Sequence, residues 1–249
     1  PAVFPAVGLL VRLAALPDAD TTLVAFEALQ RFFRLALQGP PLPETAAHAR
    51  EVTDIVLRKM PRPREMLVVE DSGAASRRAL ESTTEALRSA MRDCLAAAIR
   101  LDPQTLARAQ LAARSARPEQ LLPLCYALAA VAGEALPSQE TPLFVAVVET
   151  LLDTIAAQTE KRPRVALTGA LLVFVPAFHR LLCTAPSFLS IVTQKAVEFL
   201  SDDAVEVQRM AAETLRRLAM HCGSIYATTD ALAALDTDLK LENAAAALH

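Results

Sequence analysis

Tryptophan is absent from this chain, aromatic residues make up only 4% of it, and six glycines are spread over 249 positions. Sandwiches, barrels and doubly wound sheets draw on aromatic and β-branched strand formers and on turn glycines. These scarcities exclude such architectures and leave an all-helical chain as the default. Neither sign of charge dominates, since 25 basic against 28 acidic side chains give a net charge of −3. That balance lacks the electropositive footprint of a nucleic-acid-binding protein, so no direct DNA or RNA partner is expected. No two cysteines form a CxxC pair: Cys94, Cys125, Cys183 and Cys222 lie 31, 58 and 39 residues apart inside apolar stretches. The pattern suits reduced, buried thiols of a cytosolic or nuclear protein better than a disulfide framework or a zinc site.

Catalytic signatures are missing too. His48, His179, His221 and His249 form no HExxH pair, and there is no GxGxxG, P-loop or GxSxG. Enzyme chemistry, cofactors and metals are therefore not expected. The N-terminus shows no initiator Met and no charged leader, and the chain reads as an excised segment. A mean hydropathy of +0.31 raises a membrane reading, but the apolar run 165–182 is interrupted by Pro176, His179 and Arg180. The run 121–136 carries Glu134 and falls short of the roughly 20 residues a bilayer requires. No membrane insertion is expected; an integral helical membrane protein ranks third among the readings.

What the chain has is apolar content, 53% of it, which is too much for disorder, with Ala and Leu in excess. Helical periodicity places helices over about 3–16, 20–37, 46–60, 80–100, 104–115, 118–135, 140–158, 164–181, 185–200 and 203–221. In the last, Val207, Met210, Ala211, Thr214, Leu215 and Leu218 share one face behind a Ser201-Asp202-Asp203 start. Prolines mark helix starts at a regular interval: Pro118 to Pro163 is 45 residues and Pro142 to Pro186 is 44. Two helices per interval fit the roughly 40–47-residue period of HEAT and armadillo repeats. The expectation is an all-α HEAT-repeat α-solenoid, a right-handed superhelical stack of antiparallel helix pairs whose grooves accept amphipathic peptides. Residues 61–79 read as an inter-helix loop, with a β-prone Met66-Leu67-Val68-Val69 core, and are long enough to suggest function.

The order of residues is more specific than their composition. The string from Arg58-Lys59-Met60-Pro61 to Val68-Val69-Glu70-Asp71 resembles the passage MxxPEEVLVVEN of the exportin-one family of nuclear export receptors, karyopherin-β proteins also called chromosome region maintenance protein one. Leu124-Cys125-Tyr126-Ala127-Leu128 is similar to that family's LCWAI. The runs Val147-Val148-Glu149-Thr150-Leu151-Leu152, Lys195-Ala196-Val197-Glu198-Phe199-Leu200 and Val207-Gln208-Arg209-Met210-Ala211 resemble its consecutive repeats. The likeness covers roughly 1–226 and implies a HEAT-repeat segment, 1–249, of a larger ring-shaped receptor that shuttles between nucleus and cytoplasm through nucleoporin-lined pores. Its implied partners are Ran-GTP and cargo proteins with leucine-rich export signals.

The resemblance implies that such a signal lies in an apolar groove between two adjacent repeats, here within 140–221. Carried over by position, its lining is Val148, Leu152, Ile155, Thr168, Leu172, Leu181, Phe188, Val192, Lys195 and Phe199, with Met210 below. The spacings of four and three in 148, 152, 155 and of four, three, four in 188, 192, 195, 199 put each set on one helical stripe. On periodicity alone both stripes read as core; the resemblance assigns them to a groove, with Lys195 at its rim. Lys161, Arg162 and Arg164 would steer acidic residues flanking a signal, or simply cap the preceding helix.

Three departures from the family stand out. Its groove cysteine, the target of leptomycin-type inhibitors, falls at Ile155, so resistance to such inhibitors is expected. Its acidic loop that touches Ran corresponds to about 65–88, where Glu70, Asp71, Glu81 and Glu85 are offset by Arg77, Arg78 and Arg88. Some aromatic positions have become aliphatic, which implies a shallower trench. The competing reading is a HEAT-like scaffold without a transport role.

Overall fold

The computed structural model describes residues 3–40, 42–63, 74–102 and 104–226, with side chains described outside 3–4, 74–81 and 226. Among the described residues the regular elements are all helical: α1 (Val3–Ala14), α2 (Ala19–Ala36), α3 (Pro43–Lys59), α4 (Ala74–Leu101), α5 (Thr105–Ser115), α6 (Pro118–Ala130), α7 (Pro137–Ala157), α8 (Lys161–Ala177), α9 (His179–Thr184), α10 (Pro186–Glu198) and α11 (Val205–Tyr226), with a 3-10 turn at Phe199–Ser201. The all-α, HEAT-type class expected from the sequence holds. The chain divides into two compact units, and the division falls inside α7 between Leu143 and Phe144.

In the first unit α2 packs on α1 and α4, and α3 packs on α4 and α6. Phe26, Leu29, Phe33, Met91 and Leu95 are almost wholly removed from water, burial that stabilises each side chain by roughly 1.5–3 kcal/mol. The buried Asp102 ends α4 and accepts from the Gln104 backbone N–H at 3.1 Å, Arg50 Nε at 3.1 Å and Arg108 Nη2 at 2.9 Å. A buried carboxylate needs such partners, because an unpaired one costs several kcal/mol.

The second unit shows the repeat directly. Arg164, in the first turn of α8, donates to both carboxylate oxygens of Asp202 at 2.8 and 3.1 Å, and Asp202 Oδ1 also accepts from the Ala204 backbone N–H at 2.9 Å at the start of α11. Further along, the Thr214 hydroxyl of α11 donates to the Leu172 carbonyl of α8 at 2.7 Å. At the far end His179 of α9 stacks on His221 of α11 with ring centroids 4.2 Å apart. Partners advance together along both segments, so α8–α9 and α11 run in the same direction, offset by 38 and 42 residues at the first two ties. Phe144 of α7 meets Phe188 of α10 at 6.5 Å, an offset of 44. The separations of 42 and 44 fall within the roughly 40–47-residue repeat period and that of 38 just below it.

Several boundaries differ from the sequence reading, each for a local reason. The helix expected from 80 begins at Ala74, within the span expected as loop; the β-prone Met66–Val69 lies outside the described residues. The helix expected to reach 135 stops at Ala130, because the chain turns through Gly133 at φ 88, a left-handed value that glycine adopts without penalty. That glycine's N–H donates to the buried Glu140 carboxylate at 2.7 Å. Pro142 does not start its helix but sits inside α7, which begins at Pro137. Its missing N–H leaves only the carbonyl of exposed Ser138 unbonded within the helix.

The single helix expected over 164–181 is two, broken at Phe178. Pro176 has no N–H to give the Leu172 carbonyl and weakens the ladder there. The Thr214 hydroxyl supplies the missing bond, in a place where Thr214 is 2% exposed. The ring of Phe178 packs on Phe144 at 5.5 Å and on Phe174 at 4.7 Å. Among the described residues no helix is long and apolar enough to cross a membrane.

Thr214→Val keeps the shape of the side chain but leaves the Leu172 carbonyl buried without a donor. It is expected to lower unfolding stability by about 1–2 kcal/mol, read from the urea midpoint, while Thr214→Ser stays near the parent. Glu213 of α11 accepts from Arg216 at 2.7 Å and Arg217 at 2.9 Å, and these cations, Arg216 first, hold its carboxyl at about 2 against an ordinary 4.5. Its folded form thus stays ionised where the unfolded form takes up a proton. The stability this gives is complete above pH 4.5 and is lost as pH falls toward 2. Glu213→Gln should flatten that part of a thermal-melt pH profile; an unchanged slope would remove Glu213 from the account.

Candidate functional site

A cavity of about 290 Å³ opens in the second unit among α7, α8, α10 and α11. Val148 and Leu152, four apart on α7 and half-buried, form one wall. Leu171, Leu172 and Val175 of α8 form the back, with Thr214 of α11 beneath them. The opposite wall is α10, through Ile191, Val192, Gln194, Lys195, Ala196 and Glu198, and ends on Phe199 in the 3-10 turn. Ile191 is 62% exposed.

The geometry follows from how the helices are tied. The aromatic cluster of Phe144, Phe174, Phe178 and Phe188 closes the N-terminal end of the slot between α7 and α10. Beyond it Val148 and Leu152 of α7 and Val192 of α10 line the cavity. Polar groups gather at the mouth: Lys195 Nζ pairs with Glu198 Oε2 one turn further along α10, with side chains 45% and 51% exposed. The ammonium is paired because the i,i+3 spacing brings a carboxylate beside it.

Of the residues expected to line the groove, Val148, Leu152, Leu172, Val192, Lys195 and Phe199 come together at this cavity. The others occupy different surroundings. Phe188 belongs to the aromatic cluster, Thr168 is fully buried with its hydroxyl unbonded, and Leu181 and Met210 are core side chains. Ile155 is half-buried near the end of α7, and Lys161 is exposed at the start of α8. Arg164 is committed to Asp202 in a two-pronged bridge and is 29% exposed, so its charge is largely neutralised in place. Of the expected Ran-contacting acids, Glu70 and Asp71 lie outside the described residues, Glu81 lies on α4 without a described side chain, and Glu85 is half-buried on α4.

Leu171, Val175, Ile191, Gln194, Ala196, Glu198 and Thr214 line the cavity without having been singled out as site residues. Two signals for them were available. Leu171 and Val175 are four apart on α8, and Glu198 lies three residues after Lys195. Thr214 had been placed only on the packing face of α11.

No family model matches this chain. It is similar to Exportin-1 of Dictyostelium discoideum, 25% identical over 181 residues that make up 69% of this chain and 17% of that protein. Exportin-1 of Drosophila melanogaster is 26% identical over 187 residues, 72% of this chain and 18% of that protein. Exportin-1 of Schizosaccharomyces pombe is 26% identical over 178 residues, 68% of this chain and 16% of that protein. The chain thus spans about a sixth of the length of the relatives it matches. Helix pairs at a HEAT-like interval and relatives that agree across several organisms bear out the sequence reading: this chain resembles a segment of Exportin-1.

Proposed function

We propose that this chain is a segment of a nuclear export receptor and that its cavity receives apolar side chains of leucine-rich export signals. The observation that carries the reading is the unfilled slot between α7 and α10, walled by Val148, Leu152, Val192 and Phe199. A cavity of about 290 Å³ leaves room for aliphatic side chains. Each leucine buried there contributes roughly 1.5–3 kcal/mol. The Lys195–Glu198 pair at the mouth offers a donor and an acceptor to a peptide backbone. On this reading Ran-GTP and nucleoporins are partners of the whole receptor, which shuttles between nucleus and cytoplasm, and binding rather than catalysis is the activity.

The competing reading, a HEAT-like scaffold, keeps the same helices and loses only the guest. Fluorescence anisotropy with a labelled leucine-rich export peptide separates the two. Saturable binding is expected, weakened at least tenfold by Leu152→Asp and by Phe199→Ala with helicity unchanged; no saturation, or indifference to both variants, favours the scaffold.

Ile155 supplies a second test. With an aliphatic carbon where the family carries a thiol, no conjugate addition can occur there. A leptomycin-type α,β-unsaturated inhibitor is expected to leave α7 unmodified by intact mass and peptide mapping, whereas Ile155→Cys gains one adduct. Modification of the parent protein on α7, or none on the variant, would contradict the correspondence of Ile155 to the family's groove cysteine.

A further inference from the structure

We propose that Cys183 and Cys222 form a reversible redox pair that closes to a disulfide and ties α9 to α11. The two sulfurs stand 2.8 Å apart across 39 residues of chain, and roughly 0.8 Å of approach brings them to a disulfide bond length. Their settings differ in a way that orders the chemistry. Cys183 is half-buried and partly open to solvent, while Cys222 is fully buried. Burial, together with the neighbouring Cys183, pushes the Cys222 thiol up to about 12, so Cys183 is the sulfur that meets an oxidant first.

The backbone prepares the pair without filling the space between the sulfurs. The His221 carbonyl lies 3.5 Å from Cys183 Sγ, and the His179 carbonyl lies 3.7 Å from Cys222 Sγ. Each thiol thus has a weak acceptor supplied by the other's helix, and the stacked His179 and His221 rings fix the two segments beside them. Cys94 and Cys125 are fully buried, and no sulfur pair is formed by either among the described residues.

With the disulfide of a small thiol, such as oxidised glutathione, as oxidant, the reaction balances in two exchanges. The Cys183 thiolate attacks one oxidant sulfur, breaks its S–S bond and expels the first small thiolate. The Cys222 sulfur then attacks Cys183 Sγ, forming the protein disulfide and expelling the second. Two protein thiols give up two electrons, and their two protons finish on the two released small thiols. Because the cross-link closes a loop of this length, it restricts the unfolded chain and stabilises the folded one.

The test equilibrates the folded chain in buffers of graded reduced and oxidised glutathione, quenches with an alkylating agent, and reads intact mass, a peptide map and thermal melts. Expected are two alkylatable thiols fewer at the oxidising end, a single 183–222 cross-linked peptide, a Tm higher by several degrees, and full reversal by dithiothreitol. Cys183→Ser, conservative at a half-buried site, should fold with an unchanged circular dichroism spectrum and lose both the cross-link and the redox dependence of the Tm. Both thiols alkylated throughout, a glutathione adduct on Cys183 without cross-link, or a cross-link that lowers or leaves unchanged the Tm would each overturn the proposal.

Discussion

The second unit depends on the way α11 is held along α8 and α9. Arg164 grips Asp202 at one end, Thr214 reaches the Leu172 carbonyl in the middle, and His221 stacks on His179 at the other. These ties have different physical characters: a partly buried ion pair, a neutral hydrogen bond between buried groups, and a ring contact. Together they hold two segments parallel at a spacing close to 40 residues, which is the repeat itself. Helices α7 and α10 meet through Phe144 and Phe188 at one end, and the cavity lies further along both helices.

The cavity is lined mainly by apolar side chains. A defect of this kind inside a sealed core costs stability roughly in proportion to its volume, which argues for a compensating occupant or an opening to solvent. Half-buried Leu152 and Phe199, and the largely exposed Ile191, show the opening. At its edge Lys195 and Glu198 neutralise each other without being desolvated, an arrangement worth little to the fold itself and well suited to meeting a polar backbone.

Much of this was legible in the sequence, because apolar spacing of three and four and prolines about 44 residues apart are direct consequences of stacked helix pairs. The stripes 148–152 and 192–199 were legible for the same reason. What was not legible depends on single tertiary contacts. Nothing in the string around Arg164 announces that its guanidinium is taken by Asp202. The break at Phe178 needs Pro176 to be read together with Thr214, a residue far along the chain that repairs the loss. The turn at Gly133 was open to inspection, since a glycine between two helical stretches marks a left-handed stop, but helical propensity on both sides concealed it. Phe188 fits its stripe by number, yet its ring turns toward Phe144, a choice of partner that periodicity alone does not make.

The uneven spacing of the fasteners along α11 has a mechanical consequence. Sliding that helix by one turn, about 5.4 Å, could offer Arg164 another carboxylate, Glu206, but would set Met210 or Leu218 at the Leu172 carbonyl and Arg217 or Ile225 at His179, so two of the three fasteners would fail together. The pair works like a key with irregular teeth: it admits one alignment and resists creep.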